Sequence, residues 1–286
     1  MVGAIAAFTC MALAGRAVSF ELDTFEIMLF RSLTGVVIVL SIAVVSGQTQ
    51  HFKTRHVRMH LTRNLFHFIG QNLWFLAIAT IPLAQVFALE FTTPIWVILL
   101  SPLVLRERLT PIGMICAVMG FTGVIIVAQP GAAELNVGFV AGATCAIFFA
   151  LTAIFTRKLT QNDPILTIMF YLTVMQAIFG LICAGIDGDI AVPSRITLPL
   201  IILIGFAGLG AHFCLTKALS LAPASIVMPI DFVRLPVISI AGMLLFNEPV
   251  HLIVFVGAAL IFAANYLNIS YGQTARQPAS FAAKNN

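Results

Sequence analysis

Apolar residues in this sequence come in runs about twenty long, one after another, from Met1 to about Ser270. A bilayer core about 30 Å thick needs about twenty apolar residues of helix to cross it, so run length alone suggests repeated crossings. The runs are predicted near 1–20, 25–46, 64–82, 84–104, 111–129, 137–156, 165–186, 198–219, 224–245 and 251–270. Polar or turn-forming stretches separate most of them; at Pro82 and Pro223 two helices meet with almost no loop. Hydrophobic types make up 60% of the 286 residues and charged types 9%, against roughly 25% charged in soluble domains. The runs are continuous rather than alternating, which excludes a membrane barrel. The expected fold is therefore an all-α integral membrane protein of ten transmembrane helices. Helix one starts almost at Met1, which suggests a short leader ahead of the sequence given.

The loop charges orient this bundle. One side carries Lys53, Arg55, Arg58, Arg63, Arg106, Arg108, Arg157, Lys158, Arg276 and Lys284; the other carries only Arg195. Basic loops stay in the cytoplasm, so both termini are expected there, with the protein in the cytoplasmic (inner) membrane. The same position explains the net charge of +4 without nucleic acid; attraction to anionic lipid is compatible with it.

A shift of 141 residues aligns Ala77 with Ala218, Pro82 with Pro223, Val86 with Val227 and Glu107 with Glu248. Met28 to Leu33 resembles Ile168 to Thr173 at a shift of 140. Each half then holds five helices. An odd number makes the second half enter from the opposite face, giving two inverted five-helix repeats, 1–129 and 137–271, with a cytoplasmic tail at 272–286. Inverted repeats of this kind place a site near midplane between halves that rock.

The stretch from Trp74 to Val127, with AIATIPLAQ (Ala77 to Gln85), Pro94 and LRERLTP (Leu105 to Pro111), resembles an EamA domain of the drug/metabolite transporter superfamily. KALSLAPAS (Lys217 to Ser225) followed by LLFNEPV (Leu244 to Val250) resembles the second copy. The resemblance implies a ten-helix carrier of amino acids, vitamins or similar metabolites, with helices five and ten at the periphery. Many members have a tryptophan in helix one; Ala6 to Ser19 has none, so no helix-one contact is carried over.

Charged and polar side chains inside a span are costly and face the bundle interior. Helix three puts Asn64, His67, Gln71 and Trp74 on one stripe, helix four Glu90, Thr93 and Val97 on another. Helix eight carries His212 and Lys217, and helix nine Asp231 and Arg234. The repeat pairs Glu90 with Asp231 and Gln71 with His212. The expected substrate or coupling residues are Glu90, Asp231, Arg234, Gln71, His212, Trp74, Thr93, Arg31 and Tyr171, on a cavity lined mainly by helices three, four, eight and nine. Glu90 is expected in the outer half and Asp231 in the inner half. With no cation on its own helix, Glu90 is the expected proton carrier, and Asp231 is expected to stay ionised against Arg234. Plainer readings are an Asp231–Arg234 salt bridge that serves packing, a structural pairing of Arg31, and an Arg16 that snorkels. Glu107 and Glu248, near helix ends, are expected to cap neighbours.

Proline clusters in or beside helices four and nine, at Pro82, Pro94, Pro223, Pro229 and Pro236, where freed carbonyls need protein or water partners. The GxxxG of Gly138 and Gly142 suits close helix packing; a homodimer face is the minority reading. The five cysteines form no CxxC and read as small apolar residues. His56, His60 and His67 lack a further ligand for a metal, and no cofactor is expected. No HExxH or GxSxG motif is present, and GIDGD (Gly185 to Asp189) lacks the spacing of an intramembrane aspartyl protease. The sequence thus points to a secondary transporter of a small polar or amphipathic metabolite, amino-acid-like or vitamin-like, with proton coupling a feature to be tested. The alternatives are a non-transporting membrane scaffold and, behind it, an intramembrane enzyme.

Overall fold

The computed structural model describes residues 1–105, 111–128, 136–186, 188–222, 227, 230–231, 234–248 and 251–274. Arg106, Glu107, Arg108, Asp187, Pro223, Ser225, Pro229, Phe232, Arg276, Lys284 and the tail after residue 274 lie outside the described residues. Those described form the α-helices named below, 3-10 turns at Thr49–Phe52 and at Ile230 and Asp231, and no strand. The helices are α1 (Val2–Val18), α2 (Thr24–Val45), α3 (Val57–Thr80), α4 (Leu83–Glu90), α5 (Thr93–Leu105), α6 (Pro111–Ala128), α7 (Val137–Leu159), α8 (Ile165–Ala184), α9 (Leu198–Leu221), α10 (Arg234–Phe246) and α11 (Leu252–Thr274).

Five segments are long and apolar enough to cross a bilayer by length and composition: Thr24–Val45, Leu83–Leu100, Val137–Leu159, Ile165–Ala184 and Leu198–Leu221. Val2–Val18, Pro111–Gly123, Val237–Phe246 and Leu252–Asn268 are shorter apolar helices. The α3 helix is absent from both groups because His60, Arg63, Asn64, His67, Gln71 and Asn72 crowd its first two thirds. All six are buried, while Val37, Val44, Val118, Leu181, Phe206 and Leu245 point outward and are exposed. Polar inside and apolar outside is the distribution that a lipid solvent selects.

Three departures from the sequence reading concern where helices begin and break. The α3 helix starts at Val57 rather than near 64, so Arg63 is a buried helix residue, not a loop charge. The expected fourth span is two helices, parted at Phe91 and Thr92. The break precedes Pro94, and two hydroxyls take up freed carbonyls: Thr92 Oγ1 donates to the Leu89 oxygen (2.8 Å) and Thr93 Oγ1 to that of Glu90 (2.5 Å). In the expected ninth span, α10 is described from Arg234 onward, and Asp231 sits in a 3-10 turn before it.

Glycine sets the tightest helix crossings. A Cβ on Gly180 of α8 would lie 2.9 Å from the Leu29 backbone of α2, so those two helices touch backbone to backbone. Gly138 and Gly142 meet Thr80, Ile81, Ala77 and Leu89 inside the chain. The GxxxG therefore seats α7 on α3 and α4 and is not a face for a second copy. The α6 and α11 helices pack on each other.

The tight α3–α4 junction at Pro82 is held from two sides. Arg16 Nη2 donates to the Ile81 carbonyl (2.8 Å) and pairs with Glu248; it does not snorkel. Asn247 takes a left-handed φ of 53° after α10, a conformation that asparagine tolerates. The turn brings the Glu248 carboxylate back to accept the Leu83 N–H (2.8 Å), which caps α4 as expected of this residue.

Polar contacts also tie loops together at both ends. At one end Asp163, just before α8, accepts from Thr54 Oγ1 (2.9 Å) and contacts His60 Nε2 (3.0 Å). At the other, Glu26 accepts the Ala191 N–H (2.6 Å), and Glu21 accepts from the Ser194 N–H (2.6 Å) and the Ser194 and Thr197 hydroxyls. The Ser194 backbone N–H is the main cause that holds the Glu21 carboxyl below the usual carboxylate range; desolvation opposes it and the two hydroxyls assist. A depressed folded-state pKa means that the clamp is present above the unfolded value and is lost as pH falls through the folded one. Exchange of the Ser194 amide, normalised for intrinsic rate, should therefore quicken below the carboxylate range and lose this pH dependence in Glu21→Gln. Unchanged protection at acid pH would sink the assignment.

Candidate functional site

Most of the expected site residues converge on one cavity inside the bundle. The α3 helix contributes His67, Gln71 and Trp74 at spacings of four and three, with Arg63 one turn earlier on the same face. Glu90 and Thr93 enter from the α4–α5 break, Asp231 from the turn before α10, and His212, Leu215 and Thr216 from α9. The lining stretch of α3, from Arg63 to Trp74, rises about 16 Å at 1.5 Å per residue.

The centre of the site is an ion cluster. Arg234, 1% exposed, donates through Nη2 to Glu90 Oε1 (2.6 Å) and pairs with Asp231 on its own segment. The Trp74 indole N–H donates to the other Glu90 oxygen (2.6 Å). The guanidinium carbon lies 4.6 Å from the Phe87 ring centroid, 4.9 Å from that of Phe8 and 5.8 Å from that of Phe91. Such contacts contribute about 0.5–1 kcal/mol when exposed and about 2 kcal/mol or more when desolvated. Two expectations are corrected here. Glu90 and Asp231 share one nitrogen, so they sit side by side rather than one nearer each face. Glu90 also has a cation after all, supplied by a helix far away in sequence, and both its oxygens are bonded. Asp231 is the carboxylate with an oxygen to spare: its buried Oδ1 has no partner among the described residues.

That oxygen is one of several open valences. Both ring nitrogens of His67, Nε2 of His212, Nε2 of Gln71 and Nε and Nη1 of Arg234 are buried without a partner among the described residues. The His67 and His212 rings meet edge to face at 4.6 Å and so do not satisfy one another by hydrogen bonds. A buried polar group left unpaired costs about 1–3 kcal/mol, so this concentration marks a place where water or a ligand completes the bonding.

Arg31 and Tyr171 are not part of this lining. Arg31, 6% exposed, lines a smaller adjoining cavity with Gln176 and His212 and contacts Met11 Sδ (3.7 Å). Tyr171 donates to the Phe52 carbonyl (3.2 Å) and stacks on His60, at the loop end of the bundle. His56 and His60 both turn toward Asp163. No three ligand-type side chains converge as a metal site among the described residues.

The expected set of lining helices was incomplete. Besides α3, the α4–α5 break and α9, the cavity takes Phe8 and Met11 from α1 and Phe149, Thr152 and Thr156 from α7; α6 and α11 contribute nothing to it. A signal for the missing helices was present. The 141-residue shift carries Phe8 onto Phe149 and Met11 onto Thr152, just as it carries Gln71 onto His212. Arg63 had no such signal, because its distance from the basic loop could not be told from sequence.

Removing the shared cation strands two buried carboxylates, which is expected to cost about 3–5 kcal/mol. Thermal unfolding in detergent should show a large loss for Arg234→Met. The triple replacement Glu90→Gln, Asp231→Asn, Arg234→Met should recover most of it. A single variant as stable as the parent would show that the cluster carries no buried charge.

The chain matches the EamA-like transporter family over residues 1–129 and 136–270. It is 29% identical over 246 residues to a riboflavin transporter of Vibrio cholerae, covering 86% of this chain and 82% of that one. It is 32% identical over 215 residues to a riboflavin transporter of Rhizobium johnstonii, covering 74% and 70%. An S-adenosylmethionine uptake transporter of Rickettsia bellii is 25% identical over 228 residues, covering 80% and 77%. A solved crystal structure superposes with a TM-score of 0.70 over 96% of both chains at 16% identity, which shows the fold. The all-helical bundle, its buried polar cavity and these matches place the chain in the EamA-like transporter family, as a multi-pass membrane transporter of a small metabolite and not an enzyme.

Proposed function

We propose that the chain is a secondary transporter of the cytoplasmic (inner) membrane that moves a small heterocyclic or amino-acid-like metabolite by alternating access. The reading gives ten spans in two inverted repeats, 1–129 and 137–271, with both termini in the cytoplasm. The observation that carries it is the buried cavity of open hydrogen-bonding valences at the meeting of two broken helices. A membrane scaffold would have no use for such a cavity, whereas discontinuous spans at a central site are the means by which inverted-repeat carriers hold polar cargo.

Packing supports the inverted pairing. An exchange of halves turns α1 on α9 into α7 on α3, and both contacts are extensive; it turns α2 on α8 and α6 on α11 into themselves. Arg16 and Arg157 stand 141 apart and do one job. Arg16 donates to the Ile81 carbonyl after α3, and Arg157 Nη1 to the Leu219 carbonyl at the end of α9 (2.5 Å). The cavity measures about 60 Å³, room for a few waters at roughly 10–15 Å³ each. Binding a metabolite then requires the helices to part, as a site closed between two open states would. The names of the relatives, riboflavin and S-adenosylmethionine, suggest a flat heterocycle against Trp74, Phe8 and Phe149.

For topology, nine of the ten basic residues assigned to one side remain there once Arg63 is placed in α3. A reporter fused after Gln277 should read as cytoplasmic and one at Asp189 as external; the reverse at either position would overturn the orientation.

For coupling, the geometry favours Asp231 over Glu90 as the group that exchanges a proton, because Glu90 is held by two donors and Asp231 keeps a bare oxygen. In proteoliposomes, Asp231→Asn should abolish accumulation driven by a pH gradient, about tenfold or more, yet retain exchange. Glu90→Gln should impair both modes. Accumulation by Asp231→Asn with the parent's pH dependence would exclude Asp231 as the coupling residue.

A further inference from the structure

We propose that Arg63 reads a carboxylate on the substrate, so that the carrier selects metabolites with an anionic carboxyl group at one end; the proposal rests on the transport reading above. Arg63 is 2% exposed and lines the cavity. Its guanidinium is aimed by neutral partners: Nε donates to Thr156 Oγ1 (3.0 Å) and Nη1 to Asn64 Oδ1 (2.8 Å). Asn64 is in turn pinned by its donation to the His60 carbonyl (2.9 Å). No carboxylate stands within ion-pair distance of Arg63 among the described residues, whereas Arg16 has Glu248 and Arg234 has both Glu90 and Asp231. A guanidinium held in low dielectric without a counterion is costly, and a planar fork held in place is suited to bidentate capture of a carboxylate.

The surroundings complete an acceptor-binding pocket. Thr156 Oγ1 accepts from Arg63 and keeps its own proton to donate. One turn along α3, His67 presents ring nitrogens with no partner among the described residues. Glu90 and Asp231 are both taken by Arg234, which leaves Arg63 without a carboxylate of its own among the described residues. Arg63 sits beyond the first turn of α3, away from the free backbone N–H groups that phosphate sites use. With its carboxylate on Arg63, a ligand extends along Gln71 toward Trp74.

The test uses the full chain in proteoliposomes and probes paired by presence or absence of the carboxyl group: pantothenate with pantothenol, and tryptophan with tryptamine, plus riboflavin as a probe with no carboxylate. The parent should transport at least one acid in preference to its partner. Arg63→Gln should raise KM for that acid by about tenfold or more while leaving the probes without a carboxylate unchanged. Arg63→Lys, which keeps the charge and loses the fork, should fall between, and guards against a variant that merely misfolds. Preference for the partners that lack the carboxylate, transport of riboflavin alone, an unchanged KM in Arg63→Gln, or an equal loss for acids and the other probes would each overturn the carboxylate assignment while the carrier reading stands. Absence of transport of every probe by the parent protein would overturn both.

Discussion

Arg234 is a single guanidinium held by two carboxylates, and much of the site's geometry follows from it. Its partners come from two breaks in otherwise apolar segments, Glu90 at the end of α4 and Asp231 just before α10. A helix that stops inside a bilayer exposes carbonyls and amides that lipid cannot satisfy. Here the hydroxyls of Thr92 and Thr93 take up some of them, and three phenyl rings pack around the cation. The two breaks can coexist at one place because a charge shared between them offsets the desolvation of all three groups. The same cluster leaves valences open on Asp231 and Arg234, so structural glue and binding surface are one set of atoms.

The ends of the bundle are tied differently from its centre. Toward one end, Asp163 gathers Thr54 and His60; toward the other, Glu21 and Glu26 hold the segment from Ala191 to Thr197. These contacts join loop segments to helix ends: those of Glu21 are exposed, whereas the Asp163–His60 contact is buried. The junctions by Arg16 and Glu248, and by Arg157, instead fix helix ends that have no loop to absorb movement.

Much of this was legible in the residues. Run length and scarcity of charge gave the membrane class, and the 141-residue self-similarity pointed to Glu90, Asp231, Gln71 and His212, all of which line one cavity. Glu248 was readable as a cap because it stands at a helix end in a motif, FNE, whose Asn247 takes the left-handed turn. Arg31 and Tyr171 misled because depth within a span is not the same as facing the cavity: a helix has several buried faces in a bundle of this size, and theirs adjoin a side pocket and a loop.

Local pattern therefore determined what kind of solvent the chain folds in and which residue types must be hidden from lipid, since these depend on composition and period alone. Tertiary structure decided which hidden charges meet. Glu90 and Arg234 are 144 residues apart, and nothing in the sequence around Glu90 announces its cation. Arg63 reads as one more basic loop residue until α3 is seen to begin at Val57 and carry it inside. The reason is electrostatic: in a low-dielectric interior the state of a charge is set by its neighbours in space within a few ångströms, and those neighbours are supplied by other helices.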